Sequence, residues 1–176
     1  MERASPESLK LTIESLDTPI GVLRIVTDGA GALRAVGWLD LEERLQRDLR
    51  RQYGAGGFRL EADRATSAVS RSIRRYFAGE LSAIDALPVE TGGTPFQRTV
   101  WRALRGIACG TTVTYSELAA RIGRPAAARA AGAANGANPV GVVVPCHRVV
   151  GADGSLTAYG GGLERKAWLL RHEGIQ

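Results

Sequence analysis

A proline-broken apolar stretch, Val142-Val143-Val144-Pro145-Cys146-His147-Arg148-Val149-Val150, constrains this chain more than any other. Two β-branched runs read as buried strand, and between them stand a thiol, an imidazole and a guanidinium. Successive residues of a flat strand point to opposite faces, so Cys146 and His147 would be parted there. Pro145 has no N–H to give to a ladder and marks the end of the strand. Beyond the bend both side chains can face one cavity, where His147, or Arg148 beside it, would favour the thiolate, the nucleophilic form of cysteine. The alternative is a cysteine used as a small core hydrophobe, and that reading suits Cys109 in Ile107-Ala108-Cys109-Gly110.

Two cysteines and two histidines in 176 residues are too few for a disulfide framework and poor material for a tetrahedral metal site, so no metal is expected. A chain of this length with 44% hydrophobic residues holds one good core or two small domains. The opening Met1-Glu2-Arg3-Ala4-Ser5-Pro6 has no apolar segment behind its charges, and no run is long enough to span a bilayer. The chain therefore reads as cytoplasmic, with no membrane partner. Charge is unevenly placed: residues 1–88 hold 13 basic and 13 acidic side chains, residues 89–176 hold 10 and 5, so the whole excess of +5 shares a half with Cys146. Such a basic face fits a polyanion such as nucleic acid, or simply a solvated surface.

Along the chain, Leu9, Leu11 and Ile13 alternate with polar residues as in a half-buried strand; further strands are expected over about residues 20–27 and 33–39, with Asp28-Gly29 as a hairpin signal. The three form a small antiparallel meander. Leu41, Leu45 and Leu49 recur at helical spacing, and a later helix carries Val69, Ile73 and Phe77 and ends at Gly79. Nothing in this half pairs a nucleophile with a base. Pro88 and Gly92-Gly93 mark a boundary, giving a structural unit over 1–88 and a second unit over 89–176. Thr94, Pro95 and Gln97 then form a capping box, with Phe96, Val100 and Leu104 on the buried stripe. A second box, Thr114 with Glu117, opens a short helix that Gly123 can close, and Pro125 suits the start of an Ala-rich helix over 126–134. Two short helices around a turn read as a helix-turn-helix or as a tightly packed helix pair. Small side chains allow entry into a narrow minor groove, whereas major-groove readers need several long polar residues. Asn138 before Pro139 is a turn residue, or its amide ties the groove helix to the Cys146 stretch. The loop Thr157-Ala158-Tyr159-Gly160-Gly161-Gly162 lacks the Gly-Lys-Ser/Thr of a phosphate loop; its glycines bring flexibility or close approach of a planar ligand. Glu173 ends the last helix, where the macrodipole disfavours a carboxylate, so a partner is expected.

With Pro145-Cys146-His147-Arg148-Val149 in place, residues 79–176 closely resemble the O6-alkylguanine-DNA alkyltransferases, a single-turnover DNA-repair family. The resemblance implies an N-terminal ribonuclease-H-like α/β domain, with an antiparallel sheet and helices, and a C-terminal helical domain with a helix-turn-helix. It implies that Cys146 accepts the alkyl group, that His147 is the base through a water, and that Glu173 orients His147. Asn138 matches the asparagine before proline, and Tyr115 the tyrosine near guanine N3. Arg129 matches the finger that fills the vacated base stack. Thr114, Tyr115 and Ser116, with Ala128, Ala130 and Gly132, would face the minor groove of alkylated duplex DNA. Tyr159, Gly160 and the carbonyls of Cys146 and Val149 would line the guanine pocket. Where some relatives have a second basic residue on the helix and a serine after the tyrosine, this chain has Gly136 and Gly160. The expected protein is a monomer without cofactor; clustering along DNA and repair of O4-alkylthymine stay open. Two rivals also stay open at this point, a non-enzymatic binder of alkylated DNA and a Cys-His hydrolase that turns over repeatedly.

Overall fold

The structure, a computed structural model, describes residues 7–176. The opening six residues, read above for the lack of an apolar leader, lie outside the described residues. Alternation from Leu9 onward produces β1 (Leu9–Thr18), which pairs antiparallel with β2 (Gly21–Asp28), as β2 does with β3 (Leu33–Trp38). Asp28 closes the hairpin, its Oδ1 accepting from the N–H groups of Ala30 and Ala32. The expected meander is present, with one strand added. After α1 (Glu42–Tyr53), β4 (Phe58–Ala62) returns parallel to β1, giving the order β3-β2-β1-β4. Only Phe58 and Leu60 alternate in that short edge strand, too weak a pattern to stand out from a loop.

Both faces of the sheet are covered, and the period of two sorts its residues between them. Leu11, Ile13, Val26 and Ala35 pack against Leu45 and Leu49 of α1. Leu16, Leu23, Ile25, Leu33, Val36 and Trp38 belong to a larger core shared with α2 (Ala68–Phe77) and the C-terminal helices. Tyr76 of α2 is fully buried, while Phe77, expected on the central stripe, packs at its edge. The open edge of β3 is not left bare. Leu33 donates to Pro88 O at 2.8 Å and Val36 to Pro139 O at 2.9 Å, so the boundary segment and chain from the second half both pair with the strand.

In the C-terminal half both capping boxes form. Thr94 and Gln97 cap α3 (Pro95–Arg105), and Thr114 and Glu117 cap α4 (Tyr115–Arg121). Gly123 takes a φ of 73° just after α4, as a helix-closing glycine does. The Ala-rich helix, α5, runs Ala128–Gly136, two residues later than expected, so Pro125 sits in the turn before it. Its small residues let α3 and α4 come close: Trp101 Nε1 donates to Ala134 O at 2.8 Å, and a Cβ on Gly132 would lie 3.2 Å from the Tyr115 ring.

The Val142–Val144 run is the one strand expectation that fails. These valines are buried, yet they form a tight turn in which Val142 takes a left-handed φ of 70° and Val144 donates back to Val140 O. A β-branched residue resists that conformation, at a cost of roughly 1–3 kcal/mol. The turn delivers Pro145 and a single helical turn over Cys146–Arg148. From there the chain enters β6 (Val149–Val150), parallel to β5 (Val113–Thr114), and ends in α6 (Leu163–His172).

Candidate active site

Cys146, His147 and Arg148 occupy one turn of 3-10 helix, so their side chains fan out in three directions instead of alternating across a strand. His147 and the Glu173 carboxylate are both fully buried, with Nε2 2.9 Å from Oε1. A carboxylate only accepts, so Nε2 carries the proton and Nδ1 keeps its lone pair. Nδ1 is buried and has no partner among the described residues. The arrangement makes His147 a base with one free acceptor nitrogen. Burial pushes its pKa down, and Glu173 only partly restores it, so the ring is neutral at neutral pH.

Glu173 is the most heavily bonded group of the site. Arg148 reaches it with Nε to Oε2 at 2.8 Å and Nη2 to Oε1 at 2.8 Å, while Nη1 donates to Ile107 O at 2.6 Å. The hydroxyl of Tyr76 donates to Oε1 at 2.7 Å. Burial alone would raise the carboxyl pKa, but the bonds from Arg148 and His147 outweigh it and hold the group well below the usual carboxylate range. The partner expected for a carboxylate at a helix C-terminus is thus Arg148, which does not serve the thiol.

Cys146 is 8% exposed and its pKa is raised by burial, which keeps the thiol protonated until a base takes its proton. Asn138 and the charge of Lys166 pull the other way. The Asn138 amide donates to Val144 O at 2.8 Å and accepts from Val140 N–H at 3.0 Å, bridging the turn that carries the thiol. Lys166 is completely buried; its ammonium donates to Val149 O at 2.6 Å and Thr157 O at 3.1 Å. It therefore ties the strand after the thiol to the Tyr159 loop.

A narrow cleft, with a cavity volume of only about 40 Å³, opens over the thiol, lined by Cys146, Asn138, Tyr159 and Gly160 from one half and by Trp38, Leu41 and Arg44 from the other. Arg44 donates to Gly136 O at 2.7 Å, and a Cβ on Gly160 would sit 2.5 Å from its guanidinium. Gly160 thus makes room for a cation that arrives from α1, and Gly136 holds it through a carbonyl that any residue would offer, since a Cβ there would meet nothing within 4 Å. Among the described residues, no group of three or more His, Cys, Asp or Glu side chains could hold a metal ion. None of their helices is long and apolar enough to cross a membrane.

Family models extend these observations to the whole chain. The 6-O-methylguanine DNA methyltransferase ribonuclease-like domain matches residues 11–91, and the DNA binding domain of the same name matches 95–175. The chain belongs to the 6-O-methylguanine DNA methyltransferase family. It is 51% identical over 166 residues to the methylated-DNA–protein-cysteine methyltransferase of Shigella flexneri, spanning 94% of this chain and 97% of that protein. The crystal structure of Mycobacterium tuberculosis O6-methylguanine methyltransferase is similar, with a TM-score of 0.75, 38% identity and coverage of 93% of this chain and 92% of that one. The Mycobacterium tuberculosis protein in complex with DNA matches with the same score and identity. The mixed architecture, with an N-terminal sheet and C-terminal helices, is that of the family's ribonuclease-like and DNA-binding parts.

Of the residues singled out from the sequence, Cys146, His147, Glu173 and Asn138 converge on one buried centre. Tyr159 and Gly160 line the cleft above it. Val149 is buried, and its carbonyl is engaged by Lys166. Thr114, Tyr115 and Ser116 open α4, Tyr115 against Gly132 and with its hydroxyl 2.7 Å from Thr157 Oγ1. Ala128, Arg129 and Ala130 form the first turn of α5, where Arg129 and Ala130 are exposed and Arg129 makes no salt bridge among the described residues. Sequence reasoning missed Tyr76, Lys166 and Arg44. Lys166 carried a signal: it stands seven residues before Glu173, on the same helical face as Leu169 and Leu170, a stripe that predicts burial. Tyr76 continues the stripe of Val69 and Ile73, which predicts its burial but not its partner 97 residues away, and Arg44 carried no signal.

Proposed function

We propose that the protein repairs duplex DNA in a single turnover, moving the alkyl group of an O6-alkylguanine to the Cys146 sulfur. The observation that carries the reading is a buried neutral thiol beside a histidine whose free Nδ1 is its only unpaired nitrogen. His147, oriented by Glu173, takes the Cys146 proton through a water. The thiolate attacks the alkyl carbon in line, the carbon–sulfur bond forms as the carbon–O6 bond breaks, and the guanine leaves with a proton. Tyr115 hydrogen-bonds toward N3 of that leaving base. The product is a thioether, which no group of the site can hydrolyse, so the protein is consumed.

A lesion inside the duplex has to leave the stack, at a cost of a few kcal/mol. The exposed Arg129 on a helix of small residues supports minor-groove docking, with the guanidinium filling the vacated stack. Ala128, Ala130 and Gly132 let the helix seat deeply, and the Tyr159-Gly160 loop with the Cys146 and Val149 carbonyls receives the flipped base. Residues 89–176 form the unit that binds DNA and accepts the group, and residues 1–88 support it. Every group of the relay comes from one chain, so a monomer suffices, and further copies can cluster along the duplex. The cytoplasm suits the reaction, because there a thiol stays reduced until it is consumed.

The test is intact-protein mass spectrometry after mixing with a duplex holding one O6-methylguanine, followed by peptide mapping. One methyl gained per protein, on the Cys146 peptide and absent from Cys146→Ser, is the expected result. An unmodified protein that still binds the lesion, or one that turns over repeatedly, would overturn it.

A further inference from the structure

Tyr76 belongs to α2, 97 residues before Glu173, yet its hydroxyl lies 2.7 Å from Glu173 Oε1 inside the core. Burial and the neighbouring carboxylate hold its pKa far above the usual phenol value, so the hydroxyl keeps its proton and can only donate to Glu173. The residue next to Glu173 returns the contact: His172 Nε2 donates to the Tyr76 carbonyl at 2.7 Å, and its ring meets the Tyr76 ring edge-on at 5.1 Å. The end of α6 and the end of α2 therefore grip each other in both directions. With Tyr76, His147 and two bonds from Arg148, Glu173 accepts four hydrogen bonds, three of them on Oε1, so Tyr76 and His147 share one carboxylate oxygen.

We infer that Tyr76 is a positioning residue for alkyl transfer, through which the N-terminal half sets the basicity of His147. Resting on the relay proposed above, the inference follows from the crowding of donors on the oxygen that His147 also uses. A carboxylate that already accepts four donors attracts a further proton weakly, so the proton taken from Cys146 stays on His147 instead of passing to Glu173. Each donor also spreads the carboxylate's negative charge, so Glu173 stabilises the imidazolium less than a bare carboxylate would. Without the Tyr76 hydroxyl, Glu173 becomes more basic, the imidazolium is held more firmly, and the His147 pKa rises.

The experiment measures the rate constant of methyl transfer from a duplex with one O6-methylguanine as a function of pH, for the full chain and for Tyr76→Phe. The wild-type rate falls on the acid side as His147 is protonated. In Tyr76→Phe that limb moves to higher pH by roughly half to one unit, which slows transfer about three- to tenfold on the limb and leaves the alkaline plateau within about threefold. Should Tyr76→Phe fail to fold, 3-fluorotyrosine placed at position 76 keeps the hydroxyl and strengthens it as a donor, and the limb moves to lower pH. An acid limb at the wild-type position in a folded variant of either kind would overturn the inference, since a merely structural tyrosine changes stability without moving it. His147→Gln separates the two claims. If the limb persists in His147→Gln, it does not belong to that histidine and the relay itself is wrong; if it vanishes there but stays put at position 76, only the role of Tyr76 falls.

Discussion

At Arg148 the sequence invited one chemistry and the structure supplied another. An arginine next to a nucleophilic cysteine looks like a thiolate stabiliser, but a 3-10 turn points consecutive side chains about a third of a turn apart, and Arg148 faces Glu173 and Ile107 O instead. No local pattern announces that direction, because the burial of Glu173 decides it. The consequence is testable with Arg148→Lys. Lysine keeps the charge but cannot make the two-pronged bond or reach Ile107 O as well, and the pair is almost completely buried. Unfolding in urea is expected to show a loss of about 2–3 kcal/mol, the scale of hydrogen bonds to charged groups. The Cys146 thiol should titrate as before, read by the pH dependence of iodoacetamide labelling, since Asn138 and Lys166 are the leading groups that oppose its burial. A thiol pKa that rises in Arg148→Lys would restore the first reading.

Among the elements, those with end signals were legible and those without were not. Thr94 with Gln97 and Thr114 with Glu117 announced α3 and α4 because each box satisfies orphan N–H groups with side chains already in the sequence. The start of α5 has no side-chain cap and was placed two residues early. The Val142–Val144 turn was hidden by its own composition, since a buried turn of valines has the same hydrophobic pattern as a buried strand. What a helix of small residues does for function is tested on α5. Arg129 projects from its first turn into solvent, where it contributes little to folding. Arg129→Ala is expected to leave the melting temperature within a few degrees. It should slow methyl transfer from duplex DNA by tenfold or more, and transfer from the same lesion in a single strand much less, because only the duplex has a stack to refill. Equal rates for the variant and the wild type on duplex DNA would remove the finger from the mechanism.

For the whole molecule, the sequence conveyed a structural first half and a chemical second half, and the described residues show why that division is incomplete. Tyr76 bonds to Glu173, Arg44 to Gly136 O, and Arg165 joins Ile20 O and Asp40 while lying over the Trp38 ring. Such links join residues far apart in sequence and leave no periodic trace. They also bury His147 and Glu173 within a core common to both halves, so the titration of these two groups acts on the stability of the whole fold. Burial depresses the His147 pKa below its ordinary 6.5, and the unfolded chain therefore binds more protons there. Its contribution is complete above about pH 6.5 and is lost as pH falls toward the folded-state pKa. The pKa of Glu173 is likewise depressed below its ordinary 4.5, so its contribution is present above that value and is lost on further acidification. Both act in the same direction. Urea midpoints should be level above about pH 7, decline gently below about 6.5 and fall more steeply below about 4.5. In His147→Gln the first decline should disappear while the second remains. A variant that declines between pH 6.5 and 5 as the wild type does would show that the buried imidazole does not govern acid stability.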